Sequence, residues 1–405
     1  MRYRREKRPV SRQMTHAMEE RRQAQLEKAR QSSELARGPV DLPFLVLVIL
    51  LTGIGLVMLL SASFPSAYYE TNGKNPMFYF VRQGIFAIMG IAAMLFISKI
   101  NYQWFRRFAK PLLFVSVILL VFVLIPGVGI MRNNARRWLG VGELFTFQPS
   151  EIAKVAVVVY FSDSISKKKD KMRTFRYGIL PYALLLIVLA VLVGLEPHLS
   201  GAILIMGAGA VLMLVGGIHW RWVFGAIGAA AAMLYLVLEV IGYNASRIEM
   251  WHNPWADAQG AGYQLSQSLI SIGSGGLLGV GLGRSRQKFL FLPEEHNDFI
   301  FAIVCEELGL IGATMIMLLF AALILRGYWI ALHARDRFGS LLVVGVTTLI
   351  ALQTFLNIGV VTGLLPTTGI SLPFFSYGGT ALSIQLAEMG IVLSVSRQMK
   401  PTKAG

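Results

Sequence analysis

Apolar residues in this chain come in long unbroken blocks, not in the alternation of half-buried strands or the stripes of surface helices. Ten blocks approach the length of about 20 residues that a helix needs to cross a bilayer. They run over 42–61, 78–98, 109–126, 148–165, 177–195, 199–218, 222–242, 299–325, 340–361 and 378–396. The pattern predicts an all-α polytopic membrane domain of ten transmembrane helices over 41–397. A basic cytoplasmic tail over 1–40, read as flexible and partly helical, precedes it, and a short cytoplasmic tail over 398–405 follows. The first apolar block starts only after the polar tail, so no cleavable signal peptide is expected. No repeat of fixed period is present.

Composition agrees with the pattern: 55% of the 405 residues are hydrophobic and 15% charged, where soluble domains carry about a quarter. The net charge of +16 would suit nucleic acid if it were evenly spread, but it follows the spans instead. With the N-terminus inside, 28 Lys and Arg fall on the cytoplasmic side and eight on the other, and Arg82 and Lys154 within spans complete the 38. By the positive-inside rule this predicts both termini cytoplasmic and no nucleic-acid partner. The largest loop, 243–298, is then external. Its stretch from Tyr263 to Leu278 is amphipathic and suited to lie along the interface. The Gly- and Pro-rich segment 362–377 reads either as a re-entrant, cavity-lining element or as an ordinary tight loop. The single cysteine, Cys305, excludes disulfides and cysteine metal sites.

The candidate chemistry gathers at Leu292-Pro293-Glu294-Glu295-His296-Asn297-Asp298, just ahead of the eighth block. Ionisable groups at and inside a bilayer are costly and mark functional sites. Asp298 is read as a general base or metal-assisted activator; the structural alternative is an N-cap for the eighth helix. Capping accounts for one Asp but not for its acidic neighbours. His296 is a weaker candidate. Glu306 and Glu307 lie further along the same run, and they either support the site or pair structurally with a neighbouring helix. Gln148-Pro149-Ser150-Glu151-Ile152-Ala153-Lys154 opens the fourth block. Glu151 and Lys154 are spaced to pair on one face, yet a lysine one turn into a span also suits phosphate. Arg136 and Arg137, just before it, suit a diphosphate, which takes bidentate donors, although arginines there can equally face lipid headgroups. Arg284, Arg286 and Lys288 place further cations near the acidic cluster. They follow a Gly run from Gly273 to Gly283 that lacks the strand and the Lys-Ser pair of a nucleotide loop, so no nucleotide cofactor is expected.

Three motifs in order carry a resemblance. Gly262-Tyr263-Gln264-Leu265-Ser266-Gln267-Ser268-Leu269 with Ile272 to Gly276 is the first. Leu292 to Ala302 with Glu306-Glu307-Leu308-Gly309 is the second, and Asn357-Ile358-Gly359 through Thr362–Pro366 to Pro373–Gly379 the third. With these the chain resembles the SEDS (shape, elongation, division and sporulation) membrane glycosyltransferases, in their FtsW-like division and sporulation branch, over about 42 to 397. The resemblance implies a bacterial peptidoglycan glycosyltransferase of the cytoplasmic membrane, active at its outer face in cell division or sporulation. It would polymerise lipid II, an undecaprenyl diphosphate-linked disaccharide-pentapeptide, into β-1,4 glycan strands with inversion. It also implies dependence on a divalent cation (Mn²⁺ or Mg²⁺), a class B penicillin-binding transpeptidase as partner and contacts with other division or sporulation proteins. The family's essential carboxylate falls on Asp298, which is also the one candidate metal ligand. Lys154, Arg137, Arg136, Glu151, Gln148, Arg286, Lys288, His296 and Ser376 are the candidate substrate contacts, with Glu306 and Glu307 in support.

The chain departs from the family at Glu196-Pro197-His198, where many relatives read Gln-Pro-Asp; a role for that Asp is not transferable, though Glu196 or His198 is placed to substitute. A lipid II flippase is the competing reading, on the strength of intramembrane Glu151, Lys154, Glu306 and Glu388 and of interrupted helices. A scaffold that only recruits partners would tolerate neutralisation of those charges, against their energetic cost.

Overall fold

The computed structural model describes residues 38–399, apart from 133–134, 142–144, 220, 223–224, 226–227 and 229–244. Most of both tails and nearly all of the seventh apolar block therefore lie outside the described residues. The membrane part is helical. Its elements are α1 (Leu42–Glu70), α2 (Phe78–Lys99), α3 (Phe105–Leu124), α4 (Pro149–Lys168), α5 (Leu180–Leu195) and α6 (Leu199–Val215). After the short α7 (Ala245–His252) and α8 (Tyr263–Gly275) come α9 (Ile300–Leu332), α10 (Arg337–Val361) and α11 (Gly379–Ser396). Among the described residues seven helices are long and apolar enough to cross a membrane: α1, α2, α3 with its leading turn, α5 with its leading turn, α9, α10 and α11. The apolar α6 has 17 residues. α4 has the length, with 20, but carries Glu151, Lys154 and Asp163 on buried positions.

That polar load is tolerated because α4 is interior. It packs against α3, α6 and α10, so its charges meet protein, not acyl chains. α10 is central as well, with 72% of its apolar window buried against 22% for the peripheral α3. Lipid is as apolar as leucine, so helices in a bilayer associate by close packing and polar ties more than by the hydrophobic effect. α2 and α11 show this: Gly90 lies where a Cβ would press on Leu386, and the Ser383 hydroxyl donates to the Phe86 carbonyl across the pair.

Outside the helical membrane part there is one small sheet. The connection between α3 and α4 forms an antiparallel sheet of β1 (Ile130–Arg132), β2 (Ala135–Val141) and β3 (Phe145–Phe147), in that order. The segment is too short to return as another span, and hairpin pairing satisfies its backbone locally.

Two charged layers give the bundle a ruler. At one end Asp41 caps α1 by accepting from Phe44 N, and Arg326 on α9 donates to it at 3.0 and 2.7 Å. Arg106, Tyr102 and Gln103 meet Asp336 in the same way at the start of α10. Charges partly open to solvent belong in the headgroup layer. Twenty residues of helix rise about 30 Å, the thickness of the hydrocarbon, so counting back along α9 from Arg326 puts the opposite boundary near Glu306. Asp298, just ahead of α9, then sits in the opposite headgroup layer. α9 is interrupted on that side, at Gly309, whose φ of +67° only glycine adopts easily.

Candidate active site

Asp298 does not cap α9. The cap position is Phe299, with no side-chain hydrogen bond, because the chain turns tightly first: Asn297 N and Phe299 N both donate to the Glu294 carbonyl. This corrects the N-cap alternative and leaves the Asp298 carboxylate free of helix duty. No described residue donates a hydrogen bond to it, although the side chain is half-buried. One oxygen lies against Gly369, where a Cβ would stand 3.1 Å away. Burial first, then the charge of Glu294, push this carboxyl up to about 6, while Arg137 and His296 pull it back.

The backbone around Asp298 is held by the 362–377 segment, which packs inward with Ile370, Leu372, Phe374 and Phe375 buried. Asn357 of α10 donates to the carbonyls of Asp298 and Ile370 at 2.7 and 2.6 Å. Ser376 donates to the Asn297 carbonyl and accepts from Leu372 N, both at 2.7 Å. Its hydroxyl is thus committed to backbone, a positioning use. Gln83 of α2 bridges Ser376 O and Gly378 N.

His296 is held in an aromatic slot, 4.5 Å between ring centroids from Tyr79 and 6.0 Å from Tyr377. Its Nδ1 lies 3.2 Å from Glu295, which accepts in turn from Ser66. Sequence reasoning passed over Tyr79, Gln83 and Gly369. Gln83 carried a readable signal, a lone amide in an apolar run; the other two are ordinary residues until the fold brings them here.

Strand β2 supplies the cation. Its pairing with β1 is irregular here, Ile130 standing opposite Trp138 and Met131 opposite Arg136, so Arg137 is an extra residue that breaks the alternation of side chains. Arg137 is the one whose charge acts on Asp298, Glu196 and His198. The α5–α6 turn brings Glu196 within reach of the same charge, fully buried and with neither carboxylate oxygen hydrogen-bonded among the described residues. Burial raises it to about 8 despite Arg137. His198 accepts at Nδ1 from the Gln148 amide at 3.1 Å, with the Ser150 hydroxyl at 3.3 Å. Burial, then Arg137 and Lys154, lower it to about 3, so the ring is neutral with its proton on Nε2. Ser200, two residues on, donates to the carbonyls of Thr368 and Gly369, and so ties this turn to the Asp298 wall. Lys154 is engaged by Glu151 at 2.8 Å, with Glu388 of α11 acted on by both.

The remaining candidates form a second cluster. Lys288 Nζ donates to Glu307 at 2.9 Å and to Ser61 at 3.0 Å. Glu306 accepts from Ser271, Ser285 and Arg286 N. Both carboxylates are buried and saturated, about 12 Å or more along the helix from Asp298. The Arg286 side chain is exposed on the loop. None of these four joins the Asp298 group.

Among the described residues no three or more His, Cys, Asp or Glu side chains converge to hold a metal ion. Asp298 has both oxygens open, however, and Mg²⁺-type ions are commonly held by one or two carboxylates together with substrate phosphates. The donor set fits an ion shared with a diphosphate.

The profile of the cell cycle protein family of FtsW, RodA and SpoVE matches residues 42–401. The chain belongs to this SEDS family. It is 44% identical over 364 residues to the probable peptidoglycan glycosyltransferase FtsW of Geobacter metallireducens, covering 89% of this chain and 96% of that one. With the stage V sporulation protein E of Bacillus subtilis it shares 43% over 358 residues, 88% and 97% of the two chains. Among solved structures, a chain from a peptidoglycan synthase complex that coordinates polymerisation and crosslinking superposes with a TM-score of 0.74 at 26% identity, covering 89% of this chain and 98% of that one. The rod shape determining protein RodA of Thermus thermophilus gives 0.66 at 27%, covering 90% and 99%. The SEDS protein described here is thus a multi-pass membrane protein with the RodA-like helical fold.

Proposed function

We propose that this SEDS protein is an inverting peptidoglycan glycosyltransferase that polymerises lipid II into β-1,4 strands at the outer face of the cytoplasmic membrane, in division or sporulation. The observation that carries the reading is the Asp298 carboxylate: half-buried, without a hydrogen-bond donor among the described residues, within reach of the Arg137 charge, and at the level of the lipid headgroups. The orientation follows the Lys/Arg bias, with ten spans and both termini inside.

In the reaction the acceptor's 4-hydroxyl attacks the anomeric carbon of the donor from the face opposite the diphosphate. Asp298 takes the hydroxyl proton as the new C–O bond forms. The bond from the anomeric carbon to the diphosphate oxygen breaks with its electron pair, and inversion turns an α-linkage into a β-linkage. Arg137 offers a planar pair of donors to the departing diphosphate. Lys154 contributes from the α4 side, less strongly because Glu151 already holds it. A divalent cation, when bound by Asp298 and the diphosphate, supplies further charge neutralisation. The carboxyl's raised proton affinity, about 6, makes it a better base than an ordinary aspartate while leaving it ionised at neutral pH. A class B penicillin-binding transpeptidase is the proposed partner, consistent with the likeness to a synthase that couples polymerisation to crosslinking.

The flippase reading is kept alive by one observation, the buried Glu151, Lys154 and Glu388 between α4 and α11, which a headgroup-level polymerase has no evident need to ionise. The deciding experiment supplies purified protein, partner, Mg²⁺ or Mn²⁺ and lipid II. Glycan ladders from the wild type and none from folded Asp298→Asn are expected. Ladders of equal yield from both overturn the assignment, and labelled lipid II crossing the bilayer without elongation supports transport.

A further inference from the structure

Arg284, Arg286 and the apolar residues around them have no part in the site above. α8 ends at Gly275, and the chain then runs through Gly276, Gly279, Gly281 and Gly283, all at positive φ, before reaching Phe289-Leu290-Phe291. A water-exposed loop would be polar here. Instead Leu277 is 67% exposed, Leu278 80%, Leu282 55% and Phe291 55%. These side chains continue the exposed apolar surface of α9 at Leu310, Ile311, Met315 and Leu318, which faces lipid.

The backbone tells the same story. Where α9 breaks at Gly309, Val280 N and Gly281 N donate to the carbonyls of Glu306 and Glu307, and Leu310 N and Ile311 N donate to those of Gly276 and Leu277. The non-helical stretch and the broken helix satisfy each other. Hydrocarbon demands this of irregular backbone, and water does not. The ruler along α9 places Glu306 to Ile311 at the edge of the hydrocarbon on the Asp298 side.

We propose that residues 276–291 are seated in the outer leaflet of the bilayer, with Leu277, Leu278, Leu282 and Phe291 among acyl chains and Arg284 and Arg286 on phospholipid phosphates. The loop is then a lipid-facing anchor that fixes the height of the adjoining Asp298 segment. The inference leans on the proposed function only for which leaflet is the outer one. Exposed arginines beside inserted leucines match an anionic surface, to which cations near it are attracted.

The test reads depth and not strand synthesis, so it can fail independently of the polymerase assignment. Cys305 is the only cysteine and is buried, so the parent protein provides an unlabelled background. Nitroxide is attached at Leu278→Cys or Leu282→Cys in full-length protein reconstituted in vesicles of phosphatidylethanolamine with or without phosphatidylglycerol. Leu318→Cys is the lipid control and Asn253→Cys, on an exposed turn, the water control. Collision with oxygen exceeding that with a water-soluble nickel chelate, as at Leu318→Cys, is the expected result at both loop sites. Chelate access equal to that at Asn253→Cys overturns the proposal, as does protection from both reagents, which would mean protein covers the loop. Removing phosphatidylglycerol is expected to raise the Leu278→Cys label toward water, and Arg284→Gln with Arg286→Gln to abolish that lipid dependence. A depth indifferent to both overturns the role of the arginines. Should Leu278→Cys misfold, Leu282→Cys gives the same reading.

Discussion

Two pairs of acidic residues in this chain, Glu306 with Glu307 and Asp298 with Glu196, have opposite characters. At Glu306 and Glu307 the carboxylates are fully claimed by Lys288, Ser61, Ser271, Ser285 and the Arg286 amide. At Asp298 and Glu196 no donor among the described residues claims either carboxyl, although the charge of Arg137 acts on both. Burial does not separate the pairs, since Glu196 is as buried as Glu306 and Glu307; saturation does. A buried charge with all its partners supplied does structural work, here closing the loop onto the break in α9. One left unsatisfied costs free energy, and it persists where a substrate, ion or proton completes it.

Removing the base tests the unsaturated cluster most severely. Asp298→Asn is expected to lower strand synthesis by about 10²- to 10⁴-fold with unchanged thermal unfolding; parallel loss of activity and fold would erase the contrast. The saturated cluster should show the reverse. Lys288→Met leaves Glu307 buried without its cation, a loss of about 3–5 kcal/mol, read as a lowered unfolding temperature, with activity per folded molecule retained.

Arg137→Gln comes next. Losing one charge-assisted contact of about 1.5–3 kcal/mol predicts a fall of about 10- to 100-fold in kcat/KM for lipid II. Because Arg137 holds the Asp298 carboxyl down, its removal should also move the acid limb of the rate profile upward in pH. In the wild type that limb is expected near 6, where burial places the Asp298 carboxyl, the rate falling as pH drops through it and the proposed base takes up a proton. An unmoved limb in Arg137→Gln would separate the two groups.

The smallest effect concerns Glu196. Its folded affinity for a proton is raised to about 8, so its contribution to stability is complete at low pH and is lost as pH rises through about 8. Glu196→Gln stays neutral throughout. The variant and wild type should unfold together at pH 5, with the variant higher by a few degrees at pH 9. Equal curves at both would show that Glu196 finds a partner.

Much of this was legible beforehand. Long apolar blocks give spans because a bilayer requires helices of a set length, and Asp298, His296 and Arg137 stood out because charge at a membrane is expensive. The same reasoning grouped Lys288, Glu306 and Glu307 with the site, since helical spacing says nothing about which neighbouring helix supplies a partner. It also assigned no sheet to 130–147, where the pairing is local, and took Ser376 for a substrate contact where its hydroxyl holds backbone.

By itself, then, the sequence determined the membrane class, the family through three ordered motifs, and the acidic segment that ends in Asp298. Composition and local spacing suffice for these. Only the tertiary structure decided which charges are saturated, which of two adjacent arginines acts on Asp298, and that the same charge acts on a Glu196 with no hydrogen bond among the described residues. Those properties depend on contacts between residues up to hundreds of positions apart, such as Ser61 with Glu307 and Gln83 with Ser376, and no local pattern encodes them.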